Sequence, residues 1–224
     1  MEPARSDNII SHKMKFFILL MLSSSIYSTI FPKRIPCTVS NGEAMAEAPL
    51  GTYEIAEVIH NHFGPKVNVD PSLVENYYLI GDFNGDGNAD IAVIVKPEGG
   101  KAEIRKFNVN FVSIDPYSPK NGQKVDPVAS MNEHNDACLG IAIIHGTSSG
   151  WKTQEPPGKY MFYECFSDFR LISRGQKVGD INRSIGPTPK TKGDAIKLEL
   201  ESGAETMVYW DGHTYRGYPR TEGD

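Results

Sequence analysis

Carboxylate and amide side chains alternate in a short segment near the middle of the chain, DFNGDGNAD at residues 82–90. Five of its residues can offer oxygen ligands, four through side chains and one through its backbone carbonyl: Asp82, Asn84, Asp86, Asp90 and, by its carbonyl, Asn88. Ca²⁺ is a hard cation that takes about six to eight oxygen ligands, and Asp and Asn alternating around glycine supply them. Gly87 lies where such a loop needs a backbone conformation that costs other residues more. The spacing therefore predicts a calcium site.

The segment resembles the calcium loop of FG-GAP and VCBS repeat proteins, Asp-x-Asn-Gly-Asp-Gly-x-x-Asp followed by a hydrophobic strand, here Ile91 to Val95. The resemblance implies a bound Ca²⁺ and is silent about activity. The alternative is a hairpin turn without an ion, because Asp, Asn and Gly are also good turn formers. Three clustered carboxylates without a cation would repel one another, which favours Ca²⁺.

Two features of the sequence limit which kind of calcium protein this chain can be. An EF-hand would carry a bidentate Glu at position 12 of the loop, where this chain has Val93, and its flanks would be helices. Repeat proteins that build a β-propeller show such a motif in every blade, whereas it occurs once here. We therefore expect one calcium loop in a β-hairpin and not a complete propeller.

A second motif, Gly146-Thr-Ser-Ser-Gly150, fits the Gly-x-Ser-x-Gly pattern of a serine hydrolase, with Ser148 as nucleophile and His213 as base. A nucleophile elbow requires a helix directly after the serine, because the helix N-terminus helps to build the oxyanion site. Residues 151–158 hold two prolines and a glycine and do not favour one. The hydrolase is therefore the less favoured hypothesis.

The remaining candidates are histidines and aromatic residues. His60 and His62 are two apart on a predicted helix and point in different directions, which argues against a shared metal. His134 and His145 have no partner at zinc-ligand spacing, so we predict that each is a turn or surface residue. Four aromatic residues near the C-terminus are predicted to pack in the core, with a binding surface as the alternative: Tyr209, Trp210, Tyr215 and Tyr218.

Composition limits the class of protein. A hydrophobic content of 39% is enough for a folded core, and a net charge of −5 argues against nucleic acid as a partner.

Residues 1–46 differ from the rest, because Lys13 and Lys15 precede the apolar run 16–22, as in a secretory signal peptide. Met14 is the more natural initiator. We predict export to the periplasm or the cell exterior, with an uncleaved anchor as the alternative and no stable membrane span in the mature chain.

Export bears on the cysteines. Cys138 and Cys165 lie in apolar, strand-like contexts and can form a disulfide in an oxidising compartment. The alternative is that both are small buried residues that never pair.

Residues 47–224 are predicted to form a single β-rich domain. A helical stripe over Tyr53–Phe63, capped by Thr52 and stopped by Gly64-Pro65, is followed by segments with the patterns of strands. These are residues 74–83, 91–95, 102–114, 139–144, 160–166, 196–200, 206–210 and 213–218. Asp211-Gly212 predicts a type I′ hairpin. The fold class is mostly β (α+β), an antiparallel meander or sandwich-like domain with an N-terminal helix.

The combined prediction is an exported, non-catalytic β domain with one structural Ca²⁺ loop, in a binding or envelope role. The alternatives are a small serine hydrolase using Ser148 and His213, and a metal-free module that binds protein or carbohydrate through the aromatic hairpin.

Overall fold

The computed structural model describes residues 51–72, 76–98, 104–126, 138–176 and 188–220. The predicted leader, residues 1–46, lies outside these ranges, as does His134. Among the residues that are described, no helix is long and apolar enough to cross a membrane.

One helix and ten strands make up the regular structure of the described residues. They are α1 (Thr52–Phe63), β1 (Val67–Val69), β2 (Tyr78–Gly81), β3 (Asp90–Pro97), β4 (Asn110–Phe111), β5 (Leu139–Ile144), β6 (Lys159–Glu164), β7 (Phe166–Ile172), β8 (Ala195–Leu200), β9 (Glu205–Trp210) and β10 (Tyr215–Arg220). A short 3₁₀ turn, Arg105–Phe107, precedes β4.

The strands form two sheets. Sheet 1 has the order β1-β3-β5-β6-β4, and β2 pairs with the same strand, β3, as β1 does. Its pairings are antiparallel except for β4 with β6. Sheet 2 is the antiparallel meander β10-β9-β8-β7. The predicted fold class, mostly β with one N-terminal helix and a C-terminal meander, is confirmed.

Sheet 1 lies between α1 and sheet 2 and is buried on both faces. Successive residues of a strand point to opposite faces, so Ile91, Val93 and Val95 pack with Ile55, Ile59 and Phe63 of α1. Their neighbours Ala92 and Ile94 pack with residues of sheet 2 such as Phe169, Leu198 and Val208. The continuous apolar runs of β3 and β5 are explained by this double burial.

The helix prediction needs one correction at its start. Gly51, and not Thr52, is the N-cap, and no side chain caps the helix. The Thr52 hydroxyl instead lies 2.9 Å from the hydroxyl of Tyr77. Gly64, with a φ of 103°, ends the helix as predicted.

Three strand predictions were wrong in extent. Residues 104–114 instead form a 3₁₀ turn, a left-handed Asn108 with φ of 52° and the two-residue β4. Ile104, Val109 and Phe111 fill the core beneath α1, whereas Val112 and Ile114 pack with residues of sheet 2. The strand before the calcium loop is only Tyr78–Gly81, and residues 73–75 lie outside the description. The strand over 160–166 breaks at Cys165, where the chain passes from sheet 1 to sheet 2.

The C-terminal hairpin forms, but with a different turn. A type I′ turn needs a positive φ at both central residues. Of residues 211–214, all of them described, only Gly212 has a positive φ, 106°. The Asp211 Oδ1 atom accepts hydrogen bonds from the backbone N–H groups of His213 (2.8 Å) and Thr214 (2.9 Å), and this side chain shapes a four-residue loop.

Candidate calcium loop

The 82–90 segment is the connection of a β-hairpin. β2 ends at Gly81, which pairs with Asp90 at the start of β3. Gly85 and Gly87 have φ values of 77° and 88°, in the region that favours glycine. The two glycines of the motif are therefore explained by the backbone of the loop.

The carboxylate of Asp82 lies at the centre of this loop. Its Oδ1 accepts hydrogen bonds from the N–H groups of Gly85 (2.8 Å) and Asp86 (3.0 Å). Its Oδ2 accepts one from Gly87 (3.0 Å). Three successive backbone donors thus point at one side chain, and the loop winds around it.

Asn84 and Asp86 form two hydrogen bonds with each other. The N–H of Asp86 donates to Asn84 Oδ1 at 2.9 Å, and the Asn84 amide nitrogen donates to Asp86 Oδ2 at 2.9 Å. Asp86 Oδ1 accepts the N–H of Asn88 at 2.8 Å. Asp86 is exposed to solvent, so its carboxylate can reorient at small cost.

Asp90 differs from the other loop acids because it is fully buried, with 0% exposure. Its Oδ2 accepts the N–H groups of Phe83 (2.9 Å) and Asn84 (3.2 Å), and its Oδ1 accepts that of Gly146 (2.7 Å). Burial raises the pKa of Asp90 to about 7, although these three donors act to lower it. Asp90 therefore ties the loop to the turn that follows β5.

The predicted ligands are thus brought together in one loop. No group of three or more His, Cys, Asp or Glu side chains in the described part of the chain is arranged to hold a metal ion. The carboxylates of Asp82, Asp86 and Asp90 face backbone N–H groups instead. Of the ion pairs among described residues, none involves these three acids. The donor set is made of oxygen alone, which suits Ca²⁺ chemically.

A residue next to sheet 2 holds the same loop. The N–H of Asp194 donates to the carbonyl of Asp82 (2.7 Å), and the N–H of Asp82 donates to Asp194 Oδ2 (2.9 Å). Asp194 directly precedes β8. It was not predicted, because 112 residues separate it from Asp82 and no local pattern marks it.

His145 was predicted as a turn or surface residue, and this was wrong. It is only 4% exposed, its Nε2 lies 2.8 Å from the Tyr215 hydroxyl, and its ring centroid lies 5.0 Å from those of Tyr160 and Trp210. Burial lowers its pKa to about 4. The available signal was the apolar run of β5, which leads into His145 without a break.

Ser148 and His213, the pair of the less favoured hydrolase hypothesis, lie in two separate turns. Ser148 is exposed in a tight turn closed by two hydrogen bonds between Thr147 and Gly150. Residues after Ser148 continue as turns and not as a helix. No hydrogen bond among the described residues joins Ser148 to His213, which lies exposed in the loop between β9 and β10.

The aromatic residues of the C-terminal hairpin are mainly core residues. Tyr215 and Tyr218 are buried, as predicted, whereas Tyr209 and Trp210 are half-buried. Trp210 packs edge-on against Tyr160 and Tyr215, with ring centroids 5.2 Å and 5.1 Å apart.

The two helical histidines have separate environments, as expected. His60 Nε2 lies 3.3 Å from Asn68 Oδ1. His62 is buried, and this burial, with the nearby charge of Lys159, lowers its pKa.

The cysteine pair is also where the sequence suggested: Cys138 and Cys165 lie at disulfide distance, with Cα atoms 4.3 Å apart.

Comparison with known proteins gives no relative: no family model, no curated protein and no solved structure matches the chain.

Proposed function

We propose that the protein is an exported, non-catalytic β domain in which one Ca²⁺ ion, bound by the 82–90 loop, stabilises the fold for a binding or envelope role. The observation that carries this proposal is the electrostatics of the loop. Asp82, Asp86 and the buried Asp90 are placed within nine residues, and none of the ion pairs among described residues involves them. A cation would offset their mutual repulsion and the burial of Asp90.

The residues that would hold the ion can be separated by role. Asp82 Oδ2 accepts one hydrogen bond and keeps a lone pair, and Asp86 is exposed and can turn its carboxylate inward. Asn84, the carbonyl of Asn88 and the buried Asp90 complete the predicted ligands. The bound ion would supply positive charge and a fixed centre, and the chain would supply a loop whose backbone is already closed around Asp82.

Export is supported by two further observations. Lys13 and Lys15 before an apolar run have the pattern of a secretory leader. Cys138 and Cys165 lie at disulfide distance, and such bonds persist in oxidising compartments. We propose that they form this disulfide in the exported protein.

Calorimetric titration with Ca²⁺ tests the proposal. The wild-type protein should give saturable heat at one site per chain, and Asp86→Ala should lose it. Glu57→Ala is the matched control, since Glu57 is an exposed acid on α1 and its removal changes the net charge equally. Absence of heat in the wild type, or equal binding by Asp86→Ala, would reject the calcium proposal.

A further inference from the structure

The short segment 192–194, which leads into β8 of sheet 2, contacts the calcium loop from outside. Two hydrogen bonds join Asp194 to Asp82: the Asp194 N–H donates to the Asp82 carbonyl, and the Asp194 carboxylate accepts the Asp82 N–H. The other oxygen of Asp194 accepts the N–H of Arg174 at 2.7 Å, just beyond the end of β7. One carboxylate thus links the first ligand of the loop to two strands of sheet 2.

The backbones of the loop and of this segment touch directly. A Cβ atom on Gly193 would lie 2.1 Å from the Asp82 carbonyl oxygen and 2.7 Å from the Gly85 nitrogen. A Cβ atom on Gly85 would lie 2.8 Å from the carbonyl carbon of Lys192. Glycine is therefore required on both sides of the contact, and the position of the loop depends on where residues 192–194 lie.

The loop is held by sheet 1 as well. Asp90 binds the N–H of Gly146, and a Cβ on Gly146 would lie 2.0 Å from the Ala89 carbonyl oxygen. Asp194 and Asp90 therefore anchor the two ends of the loop to different sheets.

We propose that Asp194 is the positioning residue of the calcium loop, and that through it ion binding is coupled to the packing of sheet 2 on sheet 1. This inference rests on the proposed function for the ion, but the anchoring of the loop itself does not need one. Asp194 is not proposed as a ligand, because it lies outside the 82–90 loop and its two oxygens bind the N–H groups of Asp82 and Arg174. Its role is to hold Asp82, and hence the three amides wound around Asp82, in place.

Three variants provide the necessary comparison. Asp194→Ala removes both side-chain acceptors, and Asp194→Asn keeps one, so the conservative variant should recover part of any loss. Glu201→Ala is the charge-matched control, because Glu201 is an exposed acid in the turn that connects β8 and β9 of the same sheet.

The first measurement is amide hydrogen exchange of the full chain in chelator. We expect the amides of residues 82–87 to exchange at least about tenfold faster in Asp194→Ala, as loss of one or two hydrogen bonds implies. Glu201→Ala should leave these rates unchanged. Unchanged rates in Asp194→Ala would overturn the positioning role. If Asp194→Ala fails to fold, Asp194→Asn is measured instead under the same criterion.

The second measurement is the affinity for Ca²⁺, together with terbium luminescence excited through Tyr215, which interacts electrostatically with Asp82 and Asp90. We expect about tenfold weaker binding in Asp194→Ala, with Asp194→Asn between it and the wild type. A residue that only supports the fold would lower stability in chelator and leave affinity unchanged, which would overturn the coupling. A wild-type protein that binds neither ion rejects the proposed function, whereas the exchange rates in chelator still decide the anchoring.

Discussion

His145 and Tyr215 join the two sheets through a buried contact, with His145 Nε2 2.8 Å from the Tyr215 hydroxyl. His145 follows β5 of sheet 1, and Tyr215 begins β10 of sheet 2. Both are at most 4% exposed. The imidazole ring of His145 is therefore buried where a positive charge would have little access to water. Because of this burial, we expect the stability of the fold to depend on pH.

We expect His145 to cause a loss of stability as pH falls. Its pKa is about 4 in the folded protein and 6.5 ordinarily, so between these values the unfolded chain binds a proton that the folded protein does not. The stabilisation is fully present above pH 6.5, and about 2 kcal/mol of it should be lost between pH 7 and pH 5. Urea unfolding in chelator at several pH values measures this.

The contribution of Asp90 to stability changes with pH in the opposite direction, over much of the same pH range. Its folded pKa of about 7 lies above its ordinary 3.8, so its contribution to stability grows as pH falls through this interval. The contribution of Asp90 is present in both the wild type and His145→Phe. The difference between their free energies of unfolding at each pH therefore reports the contribution of His145. Identical pH slopes for the two proteins would contradict the prediction.

Calcium should stabilise the folded protein. An ion that binds only the native state adds about 2.7 kcal/mol when its concentration is 100 times the dissociation constant. Thermal unfolding in Ca²⁺ and in chelator should differ accordingly for the wild type and for Glu57→Ala. Asp86→Ala should unfold at the same temperature in both solutions, and a full calcium response in that variant would count against the loop.

Asp90 and Asp86 should behave differently when the ion is absent. Asp90→Ala leaves the N–H groups of Phe83, Asn84 and Gly146 without their acceptor, at a cost on the order of 3–5 kcal/mol. Asp86→Ala removes an exposed side chain and should cost about 1 kcal/mol or less. Chemical unfolding in chelator distinguishes these values. Equal losses would mean that the two acids do not have separate roles.

Reduction of the cysteine pair should destabilise the fold. Closure of a loop between residues 27 apart in sequence restricts the unfolded chain and is worth about 3–4 kcal/mol. Unfolding of the wild type with and without reductant tests this, with thiol content measured by mass after alkylation. The Cys138→Ala/Cys165→Ala double variant should be insensitive to reductant, and a wild type equally insensitive would show that the disulfide is not formed.

The cysteine pair and the calcium loop lie at opposite ends of β5. Cys138 precedes this strand, and Gly146, which binds Asp90, follows it. At about 3.3 Å per residue the two positions are roughly 25 Å apart along the strand. Each connects sheet 1 with sheet 2, since Cys165 directly precedes β7 and Asp194 directly precedes β8. The two sheets are therefore held near both ends.

Several elements followed from local sequence. The apolar run 139–144 is β5 to the residue, and the stripe 53–63 lies within α1. The alternating segment 196–200 lies within β8. In each case the residues that decide the structure are neighbours in sequence, so a short window contains the whole signal.

The segments that failed depend on contacts far away in sequence. Apolar residues at 104, 109 and 111 resemble a strand, but they fill the space beneath α1. The strand predicted over 160–166 gives no local sign that the chain changes sheets at Cys165. Tertiary packing overrides the local pattern in both places.

The sequence by itself determined the fold class, the loop that carries the candidate ligands and the glycines that let it turn, because these depend on residue types within a few positions. Only the tertiary structure separated a buried Asp90 from an exposed Asp86, buried His145 against Tyr215, and brought Asp194 to Asp82. Burial and long-range hydrogen bonding arise when the two sheets pack, and a linear pattern does not encode which distant backbone will lie beside it.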